Sequence, residues 1–160
     1  MKYFKPDFEL DHFSKMDANW LEHHRVKTIF SDLDSTLAIH DEPGGDDLRT
    51  WIQMLKNHHV KLVIASNNSQ GRVDRFCKPF GIIGFGKCAK PAPYKLRKHM
   101  DEIGASTETS IFLGDQLFTD VWCGKLLNIR TVLVKPIGKE HEPIQIVLKR
   151  KLETIVKKRW

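Results

Sequence analysis

Residues 30–37 read FSDLDSTL, and two aspartates, Asp32 and Asp34, stand there with one residue between them. The apolar run over 26–30 leads into them and predicts a buried strand over 26–33. Side chains alternate along a strand, so residues two apart start out on the same side. Two carboxylates that close repel each other unless a cation or a shared proton lies between them. We therefore predict a Mg²⁺ site at the carboxyl end of this strand, where a carboxylate left free of the metal can attack phosphorus.

The rest of the sequence alternates between short apolar runs and segments with helical periodicity. Strands that alternate with helices of about ten to fifteen residues indicate βαβ units and a parallel sheet. We expect an α/β fold of the Rossmann-like, three-layer α/β/α type, with a mostly parallel five-stranded sheet. Beyond the first strand, the predicted strands cover 61–65, 82–85, 110–113 and 130–134, and the predicted helices cover 46–57, 70–80, 93–103 and 118–127.

The length of 160 residues and the mass of 18.6 kDa suit a single domain over 1–160. Residues 1–24 mix aromatic and charged side chains and predict an N-terminal arm with one short amphipathic helix. Residues 141–160 predict a basic C-terminal helix, whose apolar stripe comprises Leu148, Leu152, Ile155 and Val156. We expect this stripe to pack on the parent domain, with contact to a membrane surface as the alternative.

The net charge of +6 and the pI near 9.3 favour anionic partners. Phosphorylated small molecules, anionic phospholipid headgroups and RNA all fit this charge, and charge alone does not choose among them. The sequence has no RNP-like aromatic motif and no zinc-finger spacing, so DNA is not expected and RNA stays open. The oligomeric state is left open as well.

The cysteines and the apolar runs bear on location. Cys77, Cys88 and Cys123 are odd in number and form no CxxC pair, which indicates reduced thiols. No apolar run approaches the roughly 20 residues that span a bilayer, and the first residues lack a signal-peptide core. We expect a cytoplasmic protein, with a peripheral position at the inner membrane surface as the alternative.

Two further strand ends carry groups that suit phosphate. Ser66 and Asn67 follow the strand predicted over 61–65, and a hydroxyl with backbone N–H groups ahead of a helix can hold phosphate oxygens. Ser-Asn is also an ordinary turn and N-cap. Lys90 stands before the next helix and can offset negative charge on the nucleophile and the transferred group. Lys87 is its rival, and Lys90 is preferred for its place at the helix opening.

The run over 114–120, GDQLFTD, follows another buried strand and is the strongest of the three later signals. Gly114 lets the backbone approach a metal closely. Asp115 can enter the coordination shell, while Asp120 can orient it or hold the loop from behind. N-capping aspartates are the alternative, but that role does not account for the pair at Asp32 and Asp34.

In this order, the four segments resemble the haloacid dehalogenase superfamily of aspartyl-phosphate phosphohydrolases. More narrowly, the chain is similar to the YqeG family within subclass IIIA, over roughly residues 20 to 140. The DxDxT-type motif is DLDST at 32–36, followed by Ser66, Lys90 and the acidic motif of Asp115 with Asp120; SNN at 66–68, RV at 72–73, KP at 90–91, GDQLFTDV at 114–121 and VKPI at 134–137 support the narrower likeness. One departure is Ser35, where the family usually has Asn.

The resemblance implies a Mg²⁺-dependent phosphatase with a two-step mechanism. Asp32 attacks phosphorus and becomes a phospho-aspartate, while Asp34 protonates the leaving oxygen and then activates water. Mg²⁺ is held by Asp32, Asp115 and the backbone carbonyl of Asp34, and Ser66 and Lys90 bind the phosphoryl oxygens. The residues by themselves lead to the same ion and groups but do not choose between Asp32 and Asp34 as nucleophile.

The spacing of the motifs bears on the substrate. Only 31 residues separate Asp34 from Ser66, and only 23 separate Ser66 from Lys90. Neither gap holds a large cap domain, so we expect an open site suited to a large or surface-bound substrate. Relatives similar to the YqeG family include phosphatidylglycerophosphate phosphatases, and an anionic lipid headgroup is the leading substrate. The alternatives are a soluble nucleotide or sugar-phosphate phosphatase, and a ribosome- or RNA-associated binding module that keeps the fold.

Overall fold

Six parallel strands form the sheet at the centre of the structure, a computed structural model that describes residues 2–159. The strands are β1 (Phe8–Leu10), β2 (Thr28–Ser31), β3 (Lys61–Ala65), β4 (Ile83–Phe85), β5 (Ser110–Gly114) and β6 (Arg130–Val134). They lie in the order β1-β6-β5-β2-β3-β4, and each neighbouring pair is parallel. The α/β fold class is therefore confirmed, with six strands where the sequence predicted five.

Helices cover both faces of this sheet, as a parallel sheet requires. They are α1 (Ala18–His23), α2 (Asp46–Asn57), α3 (Gln70–Cys77), α4 (Tyr94–Ile103), α5 (Trp122–Leu126) and α6 (Ile144–Lys157). Side chains of α2 and α3 pack in one apolar cluster with Ile29, and those of α4 pack in another with Phe30. Neighbouring residues of β2 thus point to opposite layers, which is the three-layer arrangement expected from the sequence.

The sixth strand lies in the N-terminal arm and was not predicted. Phe8 pairs with Val132 and Leu10 with Val134, which adds β1 to the sheet beside β6. The carboxylate of Asp7 accepts hydrogen bonds from Thr131, at 2.8 Å from the backbone nitrogen and 3.1 Å from the hydroxyl. A strand of three residues at a sheet edge leaves too short a pattern to distinguish it from an irregular arm. The one short helix predicted in the arm is α1, and Met1 lies outside the described residues.

The segment predicted as one helix over 118–127 is two pieces. Leu117–Val121 forms a π-helical turn, and α5 continues from Trp122. Within this turn, Oδ2 of Asp120 accepts hydrogen bonds, at 3.2 and 3.1 Å, from the backbone N–H groups of Asp115 and Gln116, which lie just before the turn begins. Wide turns of this kind are frequent at functional sites.

The C-terminal helix exists but packs differently from the prediction. It covers Ile144–Lys157 rather than 141–160, and Trp160 lies outside the described residues. Within the predicted stripe only Val156 packs against an apolar cluster, while Leu148, Leu152 and Ile155 are exposed. The helix is attached instead through Arg150 and Glu153, because these side chains bond to groups at the strand ends. Within residues 2–159, no helix is long and apolar enough to cross a bilayer.

Candidate active site at the strand ends

The two central strands bring the first and last motifs together. Ser31 of β2 lies opposite Leu113 of β5, and the Asp32 N–H donates to the Leu113 carbonyl at 2.9 Å. Asp32 therefore leaves its strand beside Gly114 and Asp115. Gly114 is required here, since a Cβ at this position would lie 2.2 Å from the Cβ of Asp120.

Three buried carboxylates meet at this point: those of Asp32, Asp115 and Asp120. Each offers an oxygen, and the three oxygens lie within 4.8 Å of one another. Hard oxygen ligands at such spacing suit Mg²⁺. The sequence predicted Asp120 as a support from behind, whereas the structure brings it into the cluster itself while its second oxygen holds the loop.

Lys90 is the cation inside this cluster. Its Nζ lies 3.0 Å from Oδ1 of Asp32 and 2.7 Å from Oδ1 of Asp120, and it is buried. Lys87, the rival in the sequence, is exposed and donates only its backbone N–H to Asn68. Both ion pairs raise the pKa of Lys90 against the opposing effect of burial, so the amine stays charged.

Asn67 fixes the position of Lys90. Its side-chain Oδ1 accepts the Lys90 N–H at 2.8 Å, and its Nδ2 donates to the Lys90 carbonyl at 2.9 Å. The sequence predicts that Asn67 binds phosphate, and in the structure both ends of its amide bond to the main chain of Lys90. Ser66, the neighbouring residue, is buried, and its Oγ accepts the Asn68 N–H at 3.0 Å.

Burial and mutual repulsion make the cluster reluctant to carry full negative charge. Burial raises the pKa of Asp32 to about 6, with the charge of Asp120 adding to the effect. Burial likewise raises the pKa of Asp115 to about 6, with the charge of Asp32 adding to it. The pKa of Asp120 is raised by the same burial, against the attraction of Lys90. A cation placed among these groups removes that penalty.

Asp34 has quite different surroundings, although only one residue separates it from Asp32. Its Oδ1 accepts the Asp41 N–H at 2.9 Å and Nη2 of Arg72 at 3.0 Å, and its Oδ2 accepts Nδ2 of Asn68 at 3.2 Å. Burial acts to raise its pKa, but these hydrogen bonds outweigh burial and hold the pKa of Asp34 below its usual range. The sequence did not single out Arg72 as a site residue. The Arg-Val pair at 72–73 was the available signal in the sequence, where it supported only the family resemblance.

Arg150 of α6 reaches the same strand ends from the C-terminal helix. Its guanidinium pairs with Oδ2 of Asp115 and with Glu142, and its Nη1 donates to the Asp115 carbonyl at 3.1 Å. The Thr36 hydroxyl donates to the other Asp115 oxygen at 2.6 Å. Sequence reasoning missed Arg150, because nothing in a basic helix marks one cation as the partner of an acid elsewhere.

A cavity of about 210 Å³ opens onto Asp32, Asp34, Ser66 and Lys90. Its lining residues come from every predicted segment and from α6: Asp32, Asp34, His40, Ser66, Asn67, Asn68, Lys90, Gln116, Thr119, Ile146 and Lys149. A larger cavity of about 430 Å³ lies along β6 and is lined by Asp115 and Arg150, but neither Asp32 nor Lys90 lines it. We therefore take the smaller cavity as the site.

This arrangement matches a known family. A sequence profile described as haloacid dehalogenase-like hydrolase matches residues 11–134, most of the chain. The chain belongs to the haloacid dehalogenase-like hydrolases. The likeness inferred from the motifs is thereby confirmed.

Within these hydrolases, one relative is close enough to narrow the class. The probable phosphatase YqeG of Bacillus subtilis (strain 168) is 34% identical over 138 residues, which cover 86% of this chain and 80% of that protein. The family and this relative together identify the chain as a phosphatase.

Solved structures of haloacid dehalogenase-like phosphatases share the fold at low identity. The cobalt-bound deoxy-D-mannose-octulosonate 8-phosphate phosphatase YrbI of Haemophilus influenzae superposes with a TM-score of 0.54 at 17% identity, over 83% of this chain and 88% of that one. The 3-deoxy-D-manno-octulosonate 8-phosphate phosphatase of Moraxella catarrhalis, solved with magnesium, phosphate and KDO, gives 0.55 at 16% identity, over 76% and 84%. These likenesses support the fold.

Proposed function

We propose that this phosphatase is a Mg²⁺-dependent phosphomonoester hydrolase that forms a phospho-aspartate at Asp32. One observation carries the proposal: Asp32 lines the cavity, pairs with Lys90, and lies within 4.8 Å of two further carboxylates. A nucleophile needs neighbours that hold its charge and that of the arriving phosphate. Lys90 supplies one positive charge, and the acid cluster is suited to hold a metal that supplies more.

The donor set fits magnesium. Asp32 and Asp115 are the carboxylates we assign to the ion, with the backbone carbonyl of Asp34, and Asp120 is close enough to support them. Carboxylate, carbonyl and water oxygens are the ligands that Mg²⁺ takes, and no nitrogen or sulfur ligand stands in this cluster of described residues. When bound, the ion neutralises charge on the phosphoryl oxygens during transfer.

The chain's own groups divide the two steps between them. In the first, a carboxylate oxygen of Asp32 bonds to phosphorus while the bond to the leaving oxygen breaks, and Asp34 gives that oxygen its proton. In the second, Asp34 accepts a proton from water, the water oxygen bonds to phosphorus, and the bond to Asp32 breaks to release inorganic phosphate. Lys90 offsets the negative charge of the transferred group in both steps.

The contacts of Asp34 suit the second step without further change. Three hydrogen-bond donors keep its carboxylate ionised and fixed in direction, which is the state of a base. In the first step a phosphate dianion arrives next to it, and like charge favours protonation. Arg72 acts here as a positioning residue, because it holds Asp34 and is also bonded to the Glu42 carbonyl at 2.6 Å.

For the substrate, we propose the headgroup phosphate of phosphatidylglycerophosphate. The net charge of +6 attracts an anionic surface, and the gaps between motifs hold no inserted cap domain. Lys149 at the edge of the cavity adds a cation where the rest of a headgroup would lie.

The test is release of inorganic phosphate from phosphatidylglycerophosphate in vesicles, with Asp32→Asn as the control. We expect Mg²⁺-dependent turnover by the wild type and none by the variant. Good turnover of soluble phosphomonoesters without turnover of the lipid would overturn the lipid assignment and leave the phosphatase chemistry standing. Equal turnover by the wild type and Asp32→Asn would overturn the nucleophile.

A soluble sugar-phosphate or nucleotide phosphatase is the second candidate. The cavity volume of about 210 Å³ favours it, since a small phosphomonoester fills that space. Two fold relatives are named for a sugar-acid phosphate. A panel of soluble phosphomonoesters, run beside the lipid assay, separates the two candidates by relative kcat/KM.

A further inference from the structure

The outer face of α6 is an apolar stripe with no residue of the described range 2–159 packed over it. Ile144, Leu148, Leu152 and Ile155 are 71%, 56%, 57% and 54% exposed. At 100° per residue these four side chains fall within one narrow arc of the helix. Four large apolar side chains in one exposed row form a patch of the kind that marks an interaction surface.

The opposite face explains why the helix presents this stripe outward. Arg150 pairs with Asp115 and Glu142, and the buried Glu153 accepts the Phe118 N–H at 3.2 Å. These polar contacts fix the rotation of α6 on the strand ends. Turning the stripe inward would break the contacts of Arg150 with Asp115 and Glu142 and the contact of Glu153 with the Phe118 N–H.

The charge around the stripe identifies what it meets. Lys149 flanks it on one side and Lys151 and Lys158 on the other, and none of the three forms an ion pair with a described residue. The one acidic residue of the helix, Glu153, is buried on the inner face. The outer face is thus apolar in the middle and basic at both edges, the pattern of a helix that lies in the headgroup layer of an anionic bilayer.

We propose that the outer face of α6 docks this protein on an anionic lipid surface. A second copy of the chain fits less well, because a symmetric pairing through this face would set its lysines against their equivalents. Docking itself does not depend on the proposed function; only its effect on access to the lipid substrate does. Lys149 borders both the stripe and the cavity, so a docked helix brings the mouth of the site to the headgroup layer.

Vesicle flotation tests the docking without any turnover. Wild-type protein is mixed with vesicles of phosphatidylcholine alone, or of phosphatidylcholine with phosphatidylglycerol. We expect binding only to the mixed vesicles, weakening as salt is raised. The double variant Leu148→Glu/Leu152→Glu should lose at least about tenfold in partitioning, since two apolar contacts are replaced by acids. The matched control is Tyr94→Glu on α4, which is 60% exposed and far from the stripe in sequence, and it should bind like the wild type.

Each contrary outcome overturns the docking. Equal binding to both vesicle types rejects the anionic surface, and equal loss in Tyr94→Glu rejects the stripe. A wild-type dimer in solution that dissociates in the double variant, without vesicle binding, identifies a second copy as the occupant. A far-ultraviolet circular dichroism spectrum equal to that of the wild type shows that the double variant is folded. Flotation of Asp32→Asn with the mixed vesicles would show that docking does not depend on turnover or on the identity of the substrate.

Discussion

The strand ends and the C-terminal helix invert the usual distribution of polar and apolar groups in two different ways. At the strand ends, charge lies inside: Asp32, Lys90, Asp115 and Asp120 are all buried. On α6, apolar side chains lie outside, and the side chains of Arg150 and Glu153 face the protein. Buried charge and an exposed apolar row are both unfavourable for an isolated domain. Each inversion therefore points to a partner, a cation in the first region and an anionic surface in the second.

The largest expected effect comes from breaking the strand-end cluster. Lys90→Met leaves Asp32 and Asp120 buried without their cation, which should cost about 3–5 kcal/mol in the free energy of unfolding. Turnover should fall on the order of hundredfold or more, because the amine no longer offsets charge during transfer. Urea unfolding and phosphate release measure the two. Lys87→Met is the matched control at an exposed position, and an equal loss there would contradict the assignment.

The pH dependence of stability tests the same cluster without a mutation. The pKa values of Asp32 and Asp115 rise from 3.8 to about 6 in the folded protein, so between these values the folded state binds more protons than the unfolded one. Stability without metal should therefore fall as pH rises through this window. Asp34, with its lowered pKa, acts in the opposite sense at lower pH.

Mg²⁺ should offset that loss, and more strongly at pH 7 than at pH 4, since it binds the ionised carboxylates. Thermal unfolding across this pH range, with and without Mg²⁺, makes the measurement. Asp115→Asn should flatten the metal-free profile. A wild-type profile that is already flat would mean that burial and mutual repulsion do not raise the pKa values of these acids.

The third prediction concerns the contact between the two regions. Arg150 places a positive charge on Asp115, so it opposes any cation at the same carboxylate. Arg150→Gln should bind Mg²⁺ about tenfold more tightly in calorimetry, because one competing charge is gone. Lys151→Gln, an exposed neighbour on the same helix, should leave the affinity unchanged. Weaker binding in Arg150→Gln would show instead that the guanidinium holds Asp115 in its ligating position.

The smallest effect separates two roles for Asn67. Its amide makes two hydrogen bonds to the main chain of Lys90, and Asn67→Ala should cost about 1–2 kcal/mol of stability. If Asn67 positions Lys90, kcat should fall several-fold while inhibition by inorganic phosphate stays the same. If it binds phosphate, that inhibition weakens. Asn19→Ala, at an exposed position in α1, is the control.

The strand-end region was largely predictable from the sequence. Motif order and a carboxylate pair after an apolar run predict Asp32, Asp34, Lys90 and Asp115 as neighbours, because parallel strands end at a common edge. The partners of these residues were not predictable. Nothing local connects Arg72 to Asp34 or Asn67 to the main chain of Lys90, since both contacts depend on how α3 and the loop before Lys90 are placed.

The C-terminal helix shows the limit of periodicity. Residue spacing predicted the helix and its apolar stripe but not which face packs on the domain. The ion pairs of Arg150 set the rotation of α6 about its axis. The rule that apolar faces pack inward gave the wrong orientation. The edge strand β1 was missed for another reason, since three residues are too few to show alternation.

The hydrogen bond between Thr36 and Asp115 also shows at what stage of folding the site can form. Thr36 and Asp115 touch across 79 positions of sequence, and the strands that carry them are neighbours only after the helices between them are in place. Closing so long a loop is slow compared with forming any one helix. A refolding chain should therefore regain its helical signal first and its phosphatase activity only when β5 joins β2. The rate at which activity returns during refolding thus reports how fast the sheet is completed.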